Sequence, residues 1–271
     1  MPNVPGCEIE APVSERRFSG VARLYGGEGA ASIRGAHIVI VGIGGVGSWV
    51  AEGLARSGAG RLTLIDMDHL AESNINRQVH ALENTLGQAK VLAMKDRITL
   101  INPDCEVACV DSFVDAENWQ TLCPMDATAV VDACDQVLAK TAMAAWALRH
   151  RDVFFLTVGA AGGKMQAQLV DIADLSETTH DPLLAKVRYR LRKFHGAKKA
   201  GKRIGLSCVF SREAVESPAA AATDMSDSTL NCHGYGSSVA VTATFGLCAA
   251  GWILHKISDL SKGRHQNKDI I

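Results

Sequence analysis

The run His37-Ile-Val-Ile-Val41 passes without a break into Gly42-Ile-Gly-Gly-Val-Gly-Ser48. Four consecutive β-branched residues suit a strand buried on both faces. The glycines at 42, 44 and 47 have the spacing G-x-G-x-x-G. Gly42 allows a tight turn, Gly44 lets backbone approach a phosphate, and Gly47 lets the next helix pack on the strand. Residues 49–57 read as that helix, whose first N–H groups and positive dipole end favour an anion. A second apolar run, residues 61–65, ends in Asp66-Met-Asp68. Strand, glycine turn, helix, strand and acid make a nucleotide-binding βαβ unit.

Asp66 stands about twenty residues past the glycines, where a carboxylate can hold a ribose hydroxyl pair. Asp68 fits a structural turn as well as a ligand contact. The tract Ser73-Asn-Ile-Asn-Arg-Gln78 follows. A solvated loop has the same composition, but this one lies near the C-terminal edge of the sheet, where such folds bind ligands. Arg77 there can clamp phosphate oxygens. Lys90 stands near the start of a helix reaching about residue 100, with Leu92, Ile98 and Leu100 as core contacts. It fits a solvated lysine or a point charge on a transferring phosphate.

Strands at 106–110, 127–132 and 153–159 alternate with helices at 115–122 and 137–149, which implies a parallel, doubly wound sheet. The strand at 127–132 ends Asp132-Ala-Cys-Asp135. Asp135 is placed to hold Mg²⁺ on a triphosphate or to cap the next helix. Residues 165–170 then alternate in polarity like an antiparallel strand, 183–193 form a helix, and 206–210 a returning strand. The expected fold class is α/β, a Rossmann-like, doubly wound, mainly parallel sheet with an antiparallel extension and a C-terminal helix. Residues 1–16 read as a mobile tail, 17–164 as the nucleotide core, and 165–271 as a substrate and dimerisation region of the same domain. A short helix and loop is expected at 17–26, and a loop at 214–227.

Formal net charge is −1, so no global field draws the chain to polyanions. Yet residues 186–203 hold nine Lys or Arg and no acid, a local footprint for RNA. No secretory signal is visible, and the eight cysteines form no CxxC pair, which points to a reduced, cytoplasmic protein. Cys232 beside His233 fits a structural cysteine better than a reactive one. Apolar residues 239–254 are short for a membrane span, which needs about twenty residues, so a buried packing or dimer helix is expected.

The ordered set Gly42-x-Gly-Gly-x-Gly-Ser48, Asp66-x-Asp68, Asn74-x-Asn-Arg-Gln78, Lys90 and Asp132-x-x-Asp135 resembles the adenylation core of ubiquitin-activating-type enzymes, including the molybdopterin and thiamin activators. The resemblance implies ATP and Mg²⁺ as cofactors. It places nucleotide contacts on Gly42, Gly44, Gly45, Gly47, Asp66, Asp68, Asn74, Asn76, Arg77, Gln78 and Lys90. Arg77, Lys90 and Asp135 carry the chemistry, with Asp135 on the metal. Activators of sulfur-carrier proteins usually bear two CxxC pairs for zinc, which this chain lacks, so no zinc is expected. Arg17-Phe-Ser-Gly-Val-Ala-Arg-Leu-Tyr-Gly26, Leu206-Ser-Cys-Val-Phe-Ser211 and Val241-Thr-Ala-Thr-Phe-Gly246 resemble instead the tRNA threonylcarbamoyladenosine dehydratase family. That implies adenylation and cyclisation of threonylcarbamoyladenosine in tRNA by a homodimer, with Arg17 or Arg23 lent by the partner copy. Some members carry a monovalent cation (Na⁺ or K⁺), and some are held to be peripheral to membranes through the C-terminal helix. A sulfur-transfer protein is a further candidate partner. The alternative is an activator of a ubiquitin-like sulfur carrier.

Overall fold

The computed structural model describes residues 13–215 and 235–266. Residues 1–12 of the expected tail, the expected loop beyond residue 215, and the Cys232–His233 pair lie outside the described residues. A seven-stranded sheet runs in the order β3-β2-β1-β4-β5-β7-β6. Its strands are β1 (His37–Val41), β2 (Arg61–Ile65), β3 (Glu106–Val110), β4 (Ala129–Asp132), β5 (Phe154–Val158), β6 (Val170–Asp174) and β7 (Ser207–Ser211). All neighbours are parallel except β6 and β7. The order reverses between β1 and β4, which opens a crevice at their C-terminal ends, the ligand position in doubly wound sheets.

The hydrophobic core is split by the sheet. In β1, Ile38 and Ile40 point to one layer and Val39 and Val41 to the other, all fully or nearly fully buried. The first layer holds α2 (Gly47–Arg56), α3 (Lys90–Ile101) and α7 (Val239–Gln266), with α1 (Val13–Gly35) packed on α7. The second holds α4 (Trp119–Leu122), α5 (Val137–Ala147) and α6 (Pro182–Phe194). Period-two burial of a strand between two helix layers is what the continuous apolar runs encode.

Several expectations need correction. α1 starts at Val13, inside the stretch taken as tail, and runs through 17–26 as helix with a break at Gly26, where φ is +78°. On α3, Val91, Met94 and Ile98 make the buried stripe, whereas Leu92 and Leu100 are 53% and 83% exposed. At about 100° per residue, Leu92 lies more than a quarter turn round from Val91, and Leu100, nine residues on, falls on the opposite face. The antiparallel strand begins at Val170, five residues later than expected, and residues 167–169 form a 3₁₀ turn. The Glu213 carboxylate accepts the N–H groups of Met165 and Gln166, so that backbone has no need of a strand partner. Asp135 does not cap α5; that position is Gln136.

α7 runs for 28 residues, and 239–260 would be long and apolar enough to cross a membrane. Length therefore cannot exclude a span, as the shorter expected stretch did. Burial carries the argument instead: Val241, Phe245, Ala249, Ile253 and Ile257 are fully buried against the protein's own core.

Candidate active site

The turn after β1 is shaped by what each glycine must avoid. Gly42 has φ of +84°, and a Cβ there would lie 2.8 Å from the Cys134 nitrogen. A Cβ on Gly47 would collide with the Gly42 carbonyl oxygen. Gly44, by contrast, faces open space, with no protein atom within 4 Å of a built Cβ. Gly45 packs on the Arg77 side chain, whose Cγ and Cδ would stand 3.3 Å from its Cβ. α2 has Val46 at its N-cap, which supplies no side-chain hydrogen bond, and it has no acid in its first turn. Its positive end therefore carries no neutralising side chain of its own and favours an anion.

Asp66 closes the turn from the side. Its Oδ2 accepts the Ile43 N–H at 2.6 Å, and its Oδ1 accepts the Asp68 N–H at 2.8 Å. Each oxygen keeps a lone pair for a hydroxyl. Burial holds the carboxyl above the usual range, against the lowering pull of Lys90. Lys90, the first residue of α3, is 7% exposed and bonds Asp68 Oδ2 at 2.6 Å.

The tract 73–78 divides in two. Arg77 Nη1 donates to the Ser73 carbonyl at 2.6 Å and to Asn76 Oδ1 at 2.9 Å, which holds the guanidinium beside the glycine turn. Asn76 Nδ2 donates to the Ser237 carbonyl, tying the tract to the approach of α7. The Arg77 carbonyl accepts the Trp49 indole N–H from α2. Asn74 serves the local turn and Gln78 the interior. Asn74 Oδ1 accepts the Ala71 N–H, and the Gln78 side chain is 5% exposed with Oε1 unpartnered among the described residues.

Asp135 is exposed and directly follows Ala133 and Cys134, whose backbone Gly42 packs against. Asp132 belongs to the interior. It is fully buried, 3.0 Å from Lys140 Nζ, and accepts the Thr157 hydroxyl at 2.6 Å. Lys140 also donates to the Asp132 carbonyl and Thr157 Oγ1, both at 3.2 Å. This knot pins the ends of β4 and β5 under the crevice. Sequence reasoning missed Lys140 and Thr157; the signal was a lone lysine in the otherwise apolar α5. Asp181, also missed, caps α6 through the Leu184 N–H and accepts the Ala160 N–H beyond β5. Among the described residues no group of three or more His, Cys, Asp or Glu could hold a metal. The six described cysteines are free thiols.

Arg17 donates to the Ile101 carbonyl at the C-terminal end of α3, the edge away from the glycine turn. Arg23 is exposed. In the basic stretch, Arg188 turns inward to the Leu175 and Thr178 carbonyls, and Arg192 bonds the Lys198 carbonyl. Lys186, Lys193, Lys198, Lys199 and Lys202 are exposed.

The model of the ThiF family matches residues 18–270. The chain is 42% identical to the tRNA threonylcarbamoyladenosine dehydratase of Haemophilus influenzae, over 90% of this chain and 94% of that one. The crystal structure of the Escherichia coli tRNA N6-threonylcarbamoyladenosine dehydratase in complex with ATP superposes with a TM-score of 0.83 at 41% identity. That match covers 93% of this chain and 97% of that one. The molybdopterin-synthase adenylyltransferase of Escherichia coli is 32% identical over 44% of this chain and 48% of its own length.

Proposed function

The chain belongs to the ThiF family, and from that membership we propose that it dehydrates threonylcarbamoyladenosine in tRNA, using ATP to activate the threonyl carboxylate. One observation carries the reading. Two cations, Arg77 packed on Gly45 and Lys90 tethered by Asp68, are gathered with the Asp66 carboxylate around a glycine turn whose Gly44 faces open space. The nearly full-length likeness to dehydratases supports the same reading. The sulfur-carrier alternative has weaker support, since its relative matches less than half of the chain.

In this reading the triphosphate lies over Gly44 and the N-terminus of α2, with the ribose on Asp66. Asp135 would hold Mg²⁺, which screens phosphate charge; a hard cation that keeps water and phosphate ligands suits a single protein carboxylate. A threonyl carboxylate oxygen attacks the α-phosphorus and pyrophosphate leaves. Arg77 and Lys90 stabilise the charge that builds on the phosphates. A neighbouring atom of the same modified side chain then attacks the acyl carbon, AMP leaves, and a ring closes. The second attack is intramolecular, so high effective molarity replaces an enzyme nucleophile.

A homodimer belongs to the same proposal, with the exposed Leu24 on α1 and Leu247 on α7 as contacts to test. Arg23 is then the candidate to reach the partner's site, because Arg17 is bound within its own chain. The deciding experiment is mass analysis of tRNA nucleosides after incubation with the protein, ATP and Mg²⁺. Loss of one water from the threonylcarbamoyl nucleoside is expected. A nucleoside of unchanged mass would overturn the proposal.

A further inference from the structure

α6 has two faces. Leu183, Leu184, Val187 and Leu191 are buried. Lys186, Tyr189, Arg190, Lys193 and Phe194, at i, i+3, i+4, i+7 and i+8, form a single stripe on the other side. Tyr189 and Phe194 are 58% and 57% exposed, far more than core aromatics. Lys193 Nζ lies 5.5 Å from the Tyr189 ring centre and 5.1 Å from that of Phe194. Arg190 Cζ lies 5.3 Å from the Phe194 ring centre. The rings are thus held in place by cations while most of their surface stays open.

Between this stripe and the start of α5 runs a groove of about 530 Å³, lined by Val137, Leu138, Ala185, Lys186, Tyr189 and Arg190. That is the size of a small-molecule site. Val137 follows Asp135 by two residues, so the groove opens beside the crevice end of β4. Its floor is apolar and its rim cationic. The Arg190 Nε–H is buried and has no acceptor among the described residues. A flat apolar ring carrying an anion meets all three features. An extended basic–aromatic stripe continuing from the groove selects a polymer of such units over a free nucleotide.

We propose that the groove receives an unpaired tRNA base next to the modified adenosine, stacked on Tyr189, with Lys186 and Arg190 on its phosphates. This rests on the reaction proposed above and names where that substrate is gripped. Bases splayed from single-stranded loops stack on exposed aromatics, and such stacking tolerates sequence because every base has a π-face.

The test compares Tyr189→Ala, Tyr189→Phe and Lys186→Ala as full-length proteins with modified tRNA. Tyr189→Ala should raise the KM for tRNA on the order of ten-fold, and Tyr189→Phe should restore it. Lys186→Ala should lower the slope of log KM against log salt by about one. ATP affinity, measured by titration, reports correct folding. A tRNA KM unchanged in Tyr189→Ala overturns the stacking site and leaves this face to an acidic protein partner. A wild-type enzyme with no ATP-dependent effect on tRNA defeats the underlying reaction, a result that no Tyr189 variant can produce.

Discussion

Lys90 Nζ lies 2.6 Å from Asp68 Oδ2, and the lysine is almost wholly buried while the acid is 57% exposed. The acid therefore aims a desolvated cation at the crevice without neutralising it on every side. Lys90→Ala should slow pyrophosphate release by about 100-fold or more. Asp68→Ala keeps the charge but frees its direction, and should slow the same step by roughly ten-fold. Single-turnover pyrophosphate release measures both. A Lys90→Ala protein that matches the wild-type rate removes this residue from the chemistry.

Gly44 and Gly47 should respond in opposite ways to one added methyl. At Gly47 the methyl meets the Gly42 carbonyl, so Gly47→Ala should destabilise the fold by about 2 kcal/mol or more. At Gly44 it meets no protein atom, so Gly44→Ala should change stability by less than about 0.5 kcal/mol. The same methyl intrudes where phosphate would approach, and ATP affinity should fall on the order of ten-fold. Thermal melts and ATP titration of the two variants separate these effects. Equal melting losses would mean that the turn has no ligand-facing side.

The elements of the nucleotide unit were legible because each carries a local signal: β-branched runs, glycine spacing, an acid at a strand end. Six of the seven strands, β1 to β5 and β7, follow from such local signals. What stayed hidden depends on partners far along the chain. The start of β6 is set by Glu213, more than forty residues away, which binds the backbone at 165 and 166. The extent of α1 depends on packing against α7, since its own sequence carries five glycines, at 20, 26, 27, 29 and 35, that disfavour a helix. Within the site, Asp66, Asp68, Arg77 and Lys90 do converge. Asn74 and Gln78 look the same in sequence, yet they serve the local turn and the interior. Asp132 and Asp135 are likewise indistinguishable until Lys140, on the next helix, claims the first.

That claim has a measurable energy. Lys140 and Asp132 are both fully shielded from solvent, and Thr157 completes the knot. Removing one partner leaves a buried charge alone, so Lys140→Met should cost about 3–5 kcal/mol. The double variant Lys140→Met with Asp132→Asn removes the orphan and should recover part of the loss. Denaturant unfolding of both proteins and the wild type measures the coupling. Strict additivity would show that the pair does not act as a unit.

His80 makes acid the weak flank of the site. Its ring is 1% exposed, and neither nitrogen has a partner among the described residues. Burial, helped by the Lys90 and Arg97 cations, pushes its pKa down to about 3 from 6.5. A base with a lowered pKa in the folded state takes up protons first in the unfolded chain. Its contribution is therefore present above pH 6.5 and is lost as pH falls towards 3. From pH 7 to pH 5 this one group should remove about 2 kcal/mol of stability. His80→Leu has no such proton to bind, and its stability should fall less over that range. Because the ring packs near Lys90, the wild-type loss should appear together with weakened ATP binding. Parallel melts at pH 7 and pH 5 decide the point: identical acid losses in the two proteins would clear His80 and direct attention to the carboxylates.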